Sequence, residues 1–195
     1  MERMVSLERL TRETKIRLTL NLDGSGNTEI DTGIGFFDHM LNSFARHGFF
    51  DLKVEVEGDL EVDTHHTIED TGIVLGNAIV QALGEKKSIK RYGSMILPMD
   101  EALLLCSLDL SGRPYFAYDV NLTTERVGAF ETQMVKEFFY AISYSAQMNL
   151  HIRQMAGDND HHIIEGIFKA FGKALDEATQ TDTRIEGVLS TKGSL

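Results

Sequence analysis

Two pentapeptides, His65-His66-Thr67-Ile68-Glu69 and His161-His162-Ile163-Ile164-Glu165, repeat the pattern H-H-x-x-E, and each opens a run of apolar residues at helical spacing. Four of the seven histidines lie in these two clusters. On a helix, residues four apart share a face while neighbours point about 100° apart. His65 and Glu69 can therefore hold one cation while His66 turns toward another, and His161 with Glu165 and His162 offers the same split. Paired sets of this kind point to a dinuclear transition-metal centre.

The clusters are 96 residues apart, and the strand-like Asp51-Leu52-Lys53-Val54 matches Asn149-Leu150-His151-Ile152 at an offset of 98. An internal repeat of this length dictates the fold class. Residues 16 to 31 read as a hairpin, with Ile16, Leu18, Leu20 and Leu22 alternating and a turn at Asp23 to Asn27. Residues 36 to 47 read as a helix, 49 to 56 as a strand and 66 to 83 as a second helix. Lys86 to Gly93 reads as a basic connector. The order then returns: a hairpin over 102 to 110 and 115 to 122, a helix over 131 to 146, a strand over 148 to 153 and a helix from 161 to 179. The chain is thus expected to be one α+β domain of two repeats, about 1–90 and 91–195, each β-β-α-β-α. Each repeat has the ferredoxin-like split β-α-β form, and the helices pack between two antiparallel sheets.

At the 98-residue offset His39 aligns with Glu137, and both residue types bind transition metals. One scheme consistent with a pseudo-twofold puts His39, His66, His161 and Glu165 on one ion, and Glu137, His162, His65 and Glu69 on the other. Imidazole and carboxylate without sulfur suit Mn, Fe, Co or Zn. One H-H-x-x-E alone is as readily a capped helix start; two in register within a duplicated frame favour metal. His39 could also follow a helix cap at Asp38, and His47 could be a helix C-terminal cation beside Gly48. Asp63 reads as a cap or a partner for an imidazole. Asp100 and Glu101 read as the solvated start of a hairpin, and His151 as a strand residue with no role. Lys169, four residues after Glu165, projects from the same helix face and is a candidate anion clamp. Arg91, Arg113 and Lys192 would each pass for surface charge.

With 195 residues, 42% hydrophobic and 25% charged, the composition is that of a globular protein. A net charge of −11 with no basic tract argues against a nucleic-acid partner, though not against a small phosphorylated ligand. The single cysteine, Cys106, excludes an intrachain disulfide and fits a cytoplasmic location. The first ten residues carry Glu2, Arg3, Glu8 and Arg9 and do not read as a signal peptide, and no apolar run is long enough for a membrane span.

Further stretches carry a resemblance. Gly35-Phe36-Phe37-Asp38-His39-Met40, Asp63 to Asp70, Asp160 to Glu165, Phe168-Lys169-Ala170 and Ser190-Thr191-Lys192-Gly193 make the chain resemble the imidazoleglycerol-phosphate dehydratase family over nearly its whole length. The resemblance implies dehydration of imidazole-glycerol phosphate to imidazole-acetol phosphate in histidine biosynthesis. It also implies two Mn2+ ions per active site and a homo-oligomeric 24-mer with active sites between subunits. It carries the same two ligand sets, with Glu137 standing where many members have histidine. Substrate contacts carry over to Glu13, His47, Arg91, Arg113, Lys169, Ser190, Thr191 and Lys192, with Glu13 as the proton-transfer group. Leu189 replaces the proline that many members have before the Ser-Thr-Lys-Gly run, which implies a less stiff final loop. Other chemistries compatible with the same ligands are a dinuclear hydrolase of a small phosphorylated metabolite and a non-catalytic metal-binding shell.

Overall fold

The computed structural model describes residues 3–195. The first half runs β1 (Met4–Leu10), β2 (Thr14–Asn21), β3 (Thr28–Asp31), α1 (Gly35–Gly48), β4 (Asp51–Gly58) and α2 (His65–Leu83). The second runs β5 (Tyr92–Met99), β6 (Ala102–Asp109), β7 (Tyr115–Asp119), a short β8 (Arg126–Val127) and β9 (Phe130–Glu131) hairpin, α3 (Met134–Ser145), β10 (Asn149–Ala156) and α4 (Asp160–Thr179). The strand orders β1-β2-β4-β3 and β5-β6-β10-β7 are the same arrangement twice. The duplicated α+β class is therefore as the sequence implies, with helices lying between two sheets.

The strand pairing differs from the expected hairpins. Each half carries an additional strand, β1 or β5, which pairs antiparallel with β2 or β6. The segment 16 to 31 does not close on itself. β4 slips between β2 and β3, so β3 runs parallel to β4, and β7 likewise runs parallel to β10. The turn residues explain the choice. The Asp51 carboxylate accepts the amides of Ser25 and Asn27, each at 2.9 Å, which ties the turn to β4 instead of closing a hairpin. In the second half Asn149 Nδ2 donates to Arg113 O at 2.7 Å and does the same work. The expected basic connector contains the start of β5, and Asp100 and Glu101 form its turn into β6.

The sheets present alternating apolar residues to the helices: Ile16, Leu18 and Leu20 from β2, and Leu104, Cys106 and Leu108 from β6, all buried. Between them α2 packs on α3 and α1 on α4. Close approach is possible because Gly72 faces the Phe138 carbonyl and Gly172 the Phe44 carbonyl, where a Cβ would collide. A buried aromatic cluster ties the layers together, with Phe168 stacked on Phe138 at 5.3 Å and edge-on to Phe139 at 4.9 Å. Each such side chain taken from water contributes about 1.5–3 kcal/mol, so the helix starts that carry the histidines stand on a rigid base. Among the described residues no helix is long and apolar enough to cross a membrane.

Candidate metal centre

Asn159 caps α4: its side-chain oxygen accepts the amides of His161 and His162 at 3.0 and 3.4 Å. That cap fixes the first turn, and one turn on Glu165 comes beneath His161, with Nε2 to Oε2 at 3.3 Å. α1 packs alongside and brings His39 Nε2 to 3.7 Å from the same oxygen. Ligand atoms of His39, His161 and Glu165 all lie within 4.8 Å of one another, the one such trio among the described residues. Burial pushes the Glu165 carboxyl up, but the Lys169 ammonium at 2.6 Å and the two imidazoles outweigh it, so the group sits below its ordinary value. A buried carboxylate and two imidazoles converging without a thiol fit a divalent transition ion. Cys106 is buried elsewhere in the core, and burial pushes its thiol up.

The other half carries a looser counterpart. His65 and Glu69 are one turn apart on α2, with Nε2 to Oε2 at 3.5 Å; Thr64 holds the N-cap position, and Asp63 just before it accepts the His65 amide at 2.7 Å. Glu137 lies in the first turn of α3, which packs on α2. The Tyr144 hydrogen bond, burial and Tyr144 itself push the Tyr140 phenol up, and the Glu137 and Glu69 charges add to this.

His66 and His162, the fourth members of the two expected sets, join neither cluster within the chain. His66 Nδ1 lies 3.0 Å from Asp59, and its Nε2 is 3.8 Å from Glu13. His162 Nδ1 lies 2.8 Å from Glu101, and its Nε2 is 3.7 Å from Asp100. The Asp59 hydrogen bond raises the His66 pKa, and the Glu101 hydrogen bond raises that of His162, each more than desolvation lowers it.

The expected anion-binding residues separate into groups. Arg91, Arg113, Ser190, Thr191 and Lys192 line a cleft of about 700 Å³ between the start of β5 and the C-terminal segment. Asp109 grips Arg91 through Nε at 2.7 Å and Nη2 at 3.0 Å, while Nη1 donates to Leu189 O at 2.7 Å. Arg113 and Lys192 form no ion pair among the described residues. Lys169 is not part of this cleft; its ammonium lies on Glu165. Glu13 sits at His66, and His47 closes the last turn of α1 with Nδ1 2.9 Å from Ser43 O. The Arg91 amide donates to Ala178 O near the end of α4, so about 20 Å of helix separates the cleft from Glu165.

The profile of the imidazoleglycerol-phosphate dehydratase family matches residues 32–175. The chain belongs to the imidazoleglycerol-phosphate dehydratase family. Relatives bearing that name include one from Lachnoclostridium phytofermentans, 66% identical over 195 residues and covering all of both chains, and one from Acetivibrio thermocellus at 61% over the same span. Among solved structures, the family member from Staphylococcus aureus aligns with TM-score 0.84 and 38% identity, covering 92% of this chain and 99% of that one. A Pyrococcus furiosus member aligns with TM-score 0.84 and 39% identity, covering 97% and 100%.

Four carboxylates outside the expected site residues stand beside them in this dehydratase family member: Asp59 at His66, Asp100 and Glu101 at His162, and Asp109 at Arg91. Asp100 and Glu101 read from the sequence as a solvated turn, yet both face His162. A signal existed. Glu101 lies 88 residues after Glu13, the same offset that pairs β2 with β6.

Proposed function

We propose that the chain dehydrates imidazole-glycerol phosphate to imidazole-acetol phosphate, a step of histidine biosynthesis, in sites shared between copies of itself. The carrying observation is the separation of parts along α4: metal ligands at its N-terminus and the Arg91 cleft about 20 Å away. An imidazole ring bearing three carbons and a phosphate is far shorter than that, so a neighbouring copy must supply one end. The family resemblance supports a homo-oligomeric 24-mer, and a cytoplasmic biosynthetic enzyme accords with it.

His39, His161 and Glu165, with His66, would hold one divalent ion; His65, Glu69 and Glu137, with His162, would hold the other. Mn2+ is the proposed metal. Such ions, when bound, act as Lewis acids toward the ring nitrogens and so ease loss of the proton from the adjacent carbon. Glu13, 3.8 Å from His66 Nε2, stands where a carboxylate can take or return that proton. Arg113, Lys192 and the Asp109-braced Arg91 bind the phosphate, with Ser190 and Thr191 donating hydrogen bonds. That anchoring orients the ring against the metal end. Lys169 balances the Glu165 charge there, and His47 completes the substrate contacts.

The test is turnover of imidazole-glycerol phosphate, followed as keto product, on protein whose Mn content and particle mass are measured together. Keto product formed only with metal and only by the assembled particle supports the proposal. Full turnover by a monomer, or none with metal present, defeats it.

A further inference from the structure

Five imidazoles belong to the proposed ligand sets, and they divide into two kinds by whether Nδ1 meets a carboxylate. His39, His161 and His65 turn Nε2 toward Glu165 or Glu69, carboxylates of the same sets. His66 and His162, whose Nε2 atoms lie 3.8 Å from Glu13 and 3.7 Å from Asp100, also have Nδ1 gripped from behind, by Asp59 at 3.0 Å and by Glu101 at 2.8 Å. Neither Asp59 nor Glu101 is in a ligand set. An ionised carboxylate only accepts hydrogen bonds, so the neutral imidazole must carry its proton on Nδ1 and leave the Nε2 lone pair open.

We infer that Asp59 and Glu101 are positioning residues that fix the tautomer and aim of His66 and His162, the two histidines that no cluster within the chain holds. The inference rests on the ligand sets proposed above. A half-exposed imidazole that must meet a cluster it does not yet touch would otherwise lose rotamer freedom and its population in the other tautomer on binding. A carboxylate behind the ring removes both costs beforehand.

The two clamps are not copies of one another. Asp59 comes from the loop after β4, whose amide donates to Glu13 O at 3.1 Å. Glu101 comes from the β5–β6 turn and also accepts the Asn159 amide at 3.2 Å, which joins it to the cap of α4. The first-half residue that matches Glu101 at the 88-residue offset is Glu13, and it faces Nε2, not Nδ1. Duplication alone would have put the clamp on matching residues. The same geometry reached from different elements points to a requirement of the site. It also leaves Glu13 available on the side where the substrate is proposed to lie.

The test reads metal binding, not activity. Mn2+ titrations on the assembled protein compare wild type with Asp59→Ala, Glu101→Ala, Asp59→Asn, Glu101→Gln and, as reference, His162→Ala. Both alanine variants should bind one ion about 10–100-fold more weakly. The amide variants, whose carbonyl still accepts from Nδ1–H, should stay within a few-fold of wild type. The metal-free thermal midpoint should barely move, because ion pairs that keep contact with solvent contribute little to folding. If His162→Ala weakens binding and Glu101→Ala does not, the positioning role is overturned while the ligand sets stand. If His162→Ala binds as wild type, the ligand set fails and takes the positioning role with it. Should an alanine variant not fold, imidazole ¹⁵N shifts of metal-free wild type decide: protonated Nδ1 at His66 and His162 is expected, and protonated Nε2 overturns the inference.

Discussion

The two halves agree on the inside and diverge on the outside. Facing the helices, Ile16, Leu18 and Leu20 of β2 correspond to Leu104, Cys106 and Leu108 of β6 at one offset of 88, and all are buried. A hydroxyl pair also persists on the outer face, Ser6 with Thr19 at 2.8 Å and Ser94 with Ser107 at 2.7 Å. One rung further the correspondence ends. Arg17 bridges Glu8 at 3.3 Å and Glu55 at 3.8 Å, whereas its counterpart Leu105 lies beside Ile96, which is 55% exposed. The helix seat differs too. Where β1 has Val5, β5 has Gly93, and α4 presses its Ala174 carbonyl against it. Packing and the helix starts proposed to hold metal need the repeat; the outer faces and the tightness of the seat do not.

The largest expected effect separates the two metal half-sites. Glu165→Ala removes the buried carboxylate shared by His39, His161 and Lys169, and should cost about 4 kcal/mol in transition-state stabilisation, roughly a thousandfold in rate, with loss of one ion. Glu137→Ala should lose the other ion, and Glu137→His should recover it, since carboxylate and imidazole both serve Mn-class ions. Metal analysis beside turnover checks this; full occupancy in Glu137→Ala would make the half-sites unlike in kind.

Next comes the cleft between β5 and the C-terminal segment. Arg91→Ala should reduce kcat/KM by about 2–3 kcal/mol, mostly through KM, with metal content unchanged. An unchanged KM would remove the cleft from substrate binding. The helix seat should give a smaller difference. Gly93→Ala forces α4 off the sheet and should destabilise by about 1–3 kcal/mol, against about 1 kcal/mol for Val5→Ala. Denaturant midpoints compare them, and equal losses would mean that the two seats are equally tight.

The smallest effect concerns Asp51 and Asn149, which brace their turns from matching positions. Each alanine variant should cost about 1 kcal/mol at neutral pH. The Ser25 and Asn27 amides hold the Asp51 carboxyl below its ordinary value, more than burial raises it. A group with a lowered folded pKa adds stability above its unfolded value and loses it as pH falls through the folded one. The gap between wild type and Asp51→Ala should therefore close below about pH 4, while that of Asn149→Ala stays constant. Parallel pH curves for the two variants would contradict the brace.

Helices were legible because their apolar spacing is long and regular: α2 and α4 begin within one residue of the expected His66 and His161. The H-H-x-x-E spacing also put His161 over Glu165, and His65 over Glu69, where they stand. Strand partners were not legible, because alternation says which face is buried and not which neighbour follows. The exchange of a β2–β3 hairpin for β4 insertion rests on the Asp51 carboxylate reaching back to amides 24 and 26 residues earlier. Asp59 and Glu101 escaped notice for a related reason. Isolated acidic residues in turns look solvated until the fold brings an imidazole to them.

The length of α4 has a genetic corollary. If a subunit donates its metal end to one site and its cleft to another, a defect at either end spoils a different site. A Glu165→Ala subunit and an Arg91→Ala subunit, each impaired alone, would then rescue one another when assembled together, since some shared sites would receive both intact ends. Co-expression of two such alleles should restore growth without histidine, although neither carries a sound copy of the enzyme.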